Sequence, residues 1–195
     1  MDDRAYDGDV LTLGAGCTLL HAIRDAAAHG WGGWEKLAGI PGTMGGMVRG
    51  NAGAFGPEMK DFIVDVSALH TETGETRTFT HDECGFSYRH SFFKDHPEWI
   101  VTRMRVHLVT VDPAESKRLS DETIAERDKR HLQDVKAAGS YFMNPVAPEE
   151  IVRQFQEEKQ TTARENRVPA GWLIENSGMK GESVGGAVAS MQHPN

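Results

Sequence analysis

The chain has 195 residues, 38% of them hydrophobic, enough for one large or two small cores, and it carries a formal charge of −8. That charge, with no basic run longer than Lys129-Arg130, argues against a phosphate-backbone partner, so nucleic-acid binding is not expected. Cys17 and Cys84 are far apart and lack a CxxC neighbour, the amino terminus is acidic, and no apolar stretch reaches membrane-spanning length; a reducing cytoplasm and no membrane partner are expected.

In chain order, Val10 to Leu13 reads as a short strand that stops at Gly14-Ala15-Gly16. Thr18 then opens a helix with Leu19, Leu20, Ile23, Ala26 and Ala27 on one face, closed by Gly30. Leu19 holds the place of the third glycine of a dinucleotide fingerprint, which weighs against a Rossmann site. From Gly39 to Gly56 there are seven glycines, so no regular helix is expected there. Ile63 to His70 and Glu75 to Thr80 read as a hairpin about Thr73-Gly74. Trp99 to Val111 alternates, which places Ile100, Met104, Val106 and Leu108 on one face and Arg103, Arg105 and His107 on the other. A mixed or antiparallel sheet follows from these strands. Two helices are expected after it, over Pro113 to Arg130 and from Pro148 through Phe155, before a glycine-rich stretch with a small strand at Ala187 to Ser190.

Three stretches could carry chemistry. In Gly39-Ile40-Pro41-Gly42-Thr43-Met44-Gly45-Gly46, followed by Asn51-Ala52-Gly53-Ala54, glycines let backbone N–H groups approach an anion, and Asn51 offers an amide to a flavin edge or a carbonyl. Spacing alone reads equally well as tight turns between strands, and the lysine of a Walker loop is absent. In Tyr88-Arg89-His90-Ser91-Phe92-Phe93-Lys94, Arg89 supplies a planar fork for a carboxylate or phosphate, or else caps a surface carboxylate. In Gly139-Ser140-Tyr141-Phe142-Met143-Asn144-Pro145, Ser140 is a proton donor, a nucleophile poorly supported without a Gly-x-Ser-x-Gly elbow, or a turn serine, and Asn144 can bind substrate oxygens. The scattered histidines show no HExxH spacing, so no metal site is expected.

Taken in this order, and with Ala170-Gly171-Trp172-Leu173-Ile174-Glu175 and Gly178-Met179-Lys180-Gly181 downstream, these motifs resemble the UDP-N-acetylenolpyruvoylglucosamine reductases, in the subgroup without an extra substrate-covering loop. The resemblance implies an α+β chain: the core of a vanillyl-alcohol-oxidase-type FAD-binding domain over residues 1–111, then a smaller α/β substrate-binding domain over 112–195. It implies FAD and NADPH as cofactors, a small-molecule UDP-sugar as substrate, and an activity in peptidoglycan precursor synthesis: reduction of UDP-N-acetylglucosamine enolpyruvate to UDP-N-acetylmuramate. Gly42, Thr43, Gly45, Gly46, Asn51, Ala52 and Gly53 would line the cofactor; Arg89 would hold the enolpyruvyl carboxylate and Ser140 would protonate its C2; Tyr88 and Asn144 would contact substrate. The family's first flavin lobe, with its Gly-Ser-Asn turn, has no counterpart before Gly39, and its carboxy-terminal segment with a catalytic glutamate has none after Asn195. Met143 stands where the family commonly has lysine. The competing reading is a non-catalytic relative that keeps the fold or the sugar-nucleotide pocket without stable flavin.

Overall fold

The computed structural model describes residues 3–130, 140–192 and 194–195. Two compact units divide at Lys129/Arg130. The first opens with the hairpin β1 (Arg4–Asp7) and β2 (Val10–Gly14), followed by α1 (Leu19–Ala28), β3 (Trp31–Gly32) and α2 (Met44–Arg49). It continues through β4 (Ile63–His70), β5 (Thr76–Thr80), α3 (Phe92–Asp95), β6 (Trp99–His107), β7 (Val109–Thr110) and α4 (Pro113–Arg130). The main sheet has the order β1-β2-β6-β4-β5, and every pairing in it is antiparallel. With no parallel strand pair in that sheet, the turn after β2 is not a dinucleotide-binding crossover.

One face of the sheet is apolar and buried, through Leu11, Leu13, Val66, Ala68, Phe79, Met104 and Val106. Helix α1 belongs to the same core, with Leu19, Ala22, Ile23 and Ala26 fully buried on the expected spacing. The other face carries charge: Arg105 pairs with Asp65, Arg103 with Asp3 and His107 with Asp9. This is the one-sided burial that antiparallel sheets allow.

Two expectations fail here. The alternation of β6 breaks, because Ala68 pairs with Val101 while its neighbour Ser67 pairs with Arg103. Thr102 is the extra residue of this bulge, and its hydroxyl donates to the Ser67 carbonyl at 3.1 Å. Side chains before the bulge therefore swap faces: Val101 is buried and Ile100 is half exposed, the reverse of the sequence reading. The glycine-rich stretch also contains a helix, α2, which the sequence did not lead one to expect. Met44, Met47 and Val48 are buried at helical spacing, and that packing outweighs the helix-breaking tendency of Gly45 and Gly46.

The first unit extends beyond Val111, where sequence places the junction between domains, because α4 is held to the same core. The Ser116 hydroxyl donates to the buried Glu35 carboxylate at 2.6 Å, and Ile124 packs on the core. Glu35 in turn accepts the Gly33 amide with both oxygens.

The second unit contains α5 (Glu149–Lys159), α6 (Ala170–Asn176) and the small hairpin β8 (Ser183–Val184) and β9 (Ala187–Val188). Its core is small: Val152, Phe155, Val168 and Trp172, with the Phe155 and Trp172 rings edge to face at 5.5 Å. The Trp172 indole N–H donates to Glu158 at 2.9 Å, satisfying the polar end of the ring.

Candidate active site

The glycine stretch is zipped onto the turn that follows β2. Leu19 N–H donates to the Gly42 carbonyl, Met44 N–H to the Cys17 carbonyl at 2.8 Å, and Gly45 N–H to the Ala15 carbonyl at 3.0 Å. A Cβ on Gly45 would lie 3.0 Å from the Ala15 Cβ, so this glycine serves the close approach of two backbone segments. Gly46 differs: the nearest atom to a Cβ there is the Thr43 hydroxyl at 3.9 Å. Gly42, Thr43 and Gly46 are exposed on the open side of the stretch, and the Thr43 hydroxyl makes no cap to α2. Of the glycines expected at a cofactor, Gly45 is thus accounted for by packing inside the protein and Gly42 by its φ of 129°, while Gly46 is exposed with open space around it.

Beyond α2 the chain closes a compact loop. Ala54 N–H donates to the Pro57 carbonyl, Met59 N–H to the Ala52 carbonyl, and Glu58 and Asp61 form a reciprocal capping box around a turn of 3₁₀ helix. A Cβ on Gly53 would come within 2.7 Å of the Pro57 carbonyl and 2.8 Å of the Glu58 side chain. Asn51 is fully buried with φ 39°, and its amide meets a carbonyl, the second of the two partners foreseen for it. Its Nδ2 donates to the Ser87 carbonyl at 2.9 Å and to Glu58 at 3.0 Å, while its Oδ1 accepts from Lys60 N–H at 2.9 Å.

That Ser87 contact joins the loop to the segment bearing Arg89. Ser87 and His90 exchange both backbone hydrogen bonds at 3.1 Å, leaving Tyr88 and Arg89 at the tip of a tight turn, with Arg89 in the left-handed region at φ 56°. A non-glycine residue held there costs on the order of 1–3 kcal/mol and persists where surroundings enforce it. The Arg89 guanidinium lies 5.0 Å from the Tyr88 ring and donates to the Gly53 carbonyl at 2.6 Å. Among the described residues no carboxylate pairs with Arg89, which donates instead to a backbone carbonyl. A fixed guanidinium with donors left over suits a planar anion. Arg89, Tyr88, Gly53 and Asn51 are brought together as one cluster.

In the second unit Ser140 is exposed, and Tyr141, Phe142 and Met143 beside it are exposed as well; Gly139 lies outside the described residues. Asn144 anchors the start of α6: its Oδ1 accepts from Ala170 N–H at 3.1 Å, and its backbone carbonyl accepts from Arg167 at 2.9 Å. Among the described residues the side-chain NH₂ of Asn144 makes no hydrogen bond.

Sequence reasoning missed Glu58 and Ser91. Glu58 is buried under the loop and also meets the Lys60 ammonium at 3.1 Å. The pattern Glu58-Met59-Lys60-Asp61, acid at both ends of four residues, was the available signal. Ser91 is buried and donates to the Arg49 carbonyl at 2.8 Å, tying the end of α2 to the start of α3; nothing in its sequence context marks that role. Among the described residues no group of three or more acidic, histidine or cysteine side chains could hold a metal ion, and no helix is long and apolar enough to cross a membrane.

Comparison with known proteins adds a second line of evidence. A family model described as the carboxy-terminal domain of UDP-N-acetylenolpyruvoylglucosamine reductase matches residues 130–195, beginning where the second compact unit begins. A model described as an FAD binding domain matches residues 1–80. The UDP-N-acetylenolpyruvoylglucosamine reductase of Solibacter usitatus is 33% identical over 194 residues, all of this chain and 62% of that protein. Along its length this chain is similar to the UDP-N-acetylenolpyruvoylglucosamine reductases. The reductase of a Synechococcus strain is 36% identical over 97% of this chain and 54% of its own length. The crystal structure of UDP-N-acetylenolpyruvylglucosamine reductase from Thermus caldophilus superposes with a TM-score of 0.70 at 33% identity, covering 98% of this chain and 62% of that one. The chain thus spans between about half and two-thirds of the reductases it matches.

Proposed function

We propose that this protein is an FAD-dependent oxidoreductase that carries out, with NADPH, the reduction of UDP-N-acetylglucosamine enolpyruvate to UDP-N-acetylmuramate in the cytoplasm. The observation that carries the reading is Arg89: a guanidinium without a carboxylate partner among the described residues, fixed on the Tyr88 ring and the Gly53 carbonyl. Similarity to that family supports the same reading, since models of a C-terminal reductase domain and an FAD-binding domain match in the expected order.

The residues present fit a flavin at the glycine stretch. Gly42, Thr43 and Gly46 offer an exposed, nearly side-chain-free surface beside α2, and Ala52 and Gly53 lie in the loop that Arg89 touches. FAD bound there supplies hydride transfer from NADPH to the enolpyruvyl group. Arg89 would hold the substrate carboxylate and stabilise the charge that builds on it as the double bond is reduced. Tyr88 would help shape that carboxylate site. Ser140 would deliver the proton to C2, a task a weak acid can perform only toward a strongly basic carbon. Asn144 would use its remaining NH₂ on a substrate oxygen. Residues up to Val111 would serve the flavin and those after it the substrate, with α4 packed on the flavin side.

The test is flavin retention followed by turnover. The purified protein, mixed with FAD and passed through gel filtration, should elute yellow; a colourless peak would favour the non-catalytic relative and sink the flavin assignment. NADPH oxidation that depends on the enolpyruvyl substrate should then fall about 10²-fold or more in Ser140→Ala, the scale of a lost proton donor. Equal rates would remove Ser140 from the reaction.

A further inference from the structure

Asn51 has one acceptor and two donor hydrogens on its side chain, and the structure uses all three with the residue fully buried. Two of the partners fix which way the amide points. The Glu58 carboxylate can only accept, so it must face the NH₂; the Lys60 N–H can only donate, so it must face the oxygen. The second NH₂ hydrogen is thereby aimed at the Ser87 carbonyl, 36 positions along the chain.

That carbonyl is also the one that accepts the His90 N–H and closes the turn presenting Arg89. On the return side, Arg89 donates to the Gly53 carbonyl, two residues from Asn51, while Lys94 holds the Arg89 carbonyl at 2.9 Å. Loop and turn are therefore stitched twice, once from each segment. If Arg89 relaxed to an ordinary negative φ, the Ser87–His90 pair would open and the guanidinium would leave Gly53.

We infer that Asn51, oriented by Glu58, is a positioning residue that fixes the Arg89 guanidinium. The inference builds on the role given to Arg89 above. Asn51 itself has no donor left for a substrate; it acts through the Ser87 carbonyl.

The experiment uses the whole 195-residue protein, isotopically labelled and free of flavin. In the wild type, the bond to Gly53 should slow guanidinium rotation and give separate Nη resonances for Arg89. Asn51→Ser replaces the two amide donors by one shorter hydroxyl that cannot serve Glu58 and the Ser87 carbonyl together, and it should merge those resonances into one. A purely structural Asn51 would leave them split, as would a mistaken inference, and merged resonances in the wild type would also overturn the proposal. Should Asn51→Ser not fold, Glu58→Gln decides: its amide no longer dictates the orientation of Asn51, so His90 N–H exchange should quicken about tenfold or more while β4 amides keep their rates. Unchanged His90 exchange in Glu58→Gln would refute the relay. Because no flavin is used, a protein that stays colourless but shows the Arg89 signature would remove the flavin reading and leave this one intact.

Discussion

Adding a methyl group at Gly53 and at Gly46 separates what the fold needs from what a ligand needs. At Gly53 the added Cβ would sit 2.7 Å from the Pro57 carbonyl, 2.8 Å from the Glu58 Cγ and 2.9 Å from its Cα. Two of these atoms are backbone and cannot swing aside, so the loop must widen, at a cost of about 1–3 kcal/mol for overpacking. At Gly46 the Cβ enters open space within α2, where alanine is favoured over glycine by about 1 kcal/mol. Gly53→Ala should therefore be less stable than Gly46→Ala by roughly 2–4 kcal/mol. In Tm that is a separation on the order of 10 °C, followed by circular dichroism on the apoprotein. Flavin titration of the same variants supplies the second half: if the open side of α2 receives the cofactor, Gly46→Ala should lose affinity about tenfold or more while melting at or above the wild-type temperature. A Gly53→Ala protein as stable as Gly46→Ala would refute the steric argument; full flavin affinity in Gly46→Ala would move the cofactor off this face.

The bulge in β6 predicts that Val101→Ala costs about 1–3 kcal/mol in denaturant unfolding while Ile100→Ala stays within about 0.5 kcal/mol, and the opposite ranking would mean regular alternation. Burial pushes the Cys84 thiol up to about 12 from an ordinary 9.0, with the Glu83 charge adding to the effect. The folded state thus binds this proton more tightly than the unfolded chain, so the contribution to stability is complete below pH 9 and declines as pH rises toward 12. Cys84→Ala should flatten that alkaline decline in a pH series of urea midpoints, and an unchanged slope would exclude the thiol as its source. In the second unit, Phe155→Ala removes half of an edge-to-face pair from a four-residue core and should cost about 3–5 kcal/mol, seen as lost exchange protection in α5; retained protection would show that the cluster matters less than its burial suggests.

Most of the elements were legible because their signals are local. Thr18 and Gly30 bracket α1, Thr73-Gly74 makes the β4–β5 turn, and Pro148 precedes α5, each with a residue whose conformational preference is its own. What escaped was set by residues distant in sequence. Thr102 forms a bulge because β4 pairs across it, and no periodicity in β6 alone records that. Helix α2 forms because Met44, Met47 and Val48 find a core, a gain invisible to a glycine count. The same holds at the site: motif order singled out Arg89 and Asn51, but that one stitches to the other's loop through Ser87 and Gly53 emerges only from three-dimensional pairing.

The strand order carries a consequence for how the protein comes into being. Strand β2 is made well before β6, yet β6 is its neighbour, and pairs such as His107 with Asp9 and Arg103 with Asp3 join residues 98 and 100 positions apart. The turn that anchors the glycine stretch is itself secured by the Thr102 carbonyl, which accepts from Ala15 N–H at 2.9 Å. On the ribosome the stretch is therefore complete well before the strand that secures its anchoring turn has been made. Contacts of such long sequence separation form slowly, because loop closure must be achieved first. A nascent chain stalled before residue 99 would carry the whole glycine motif without the strand that secures its anchoring turn.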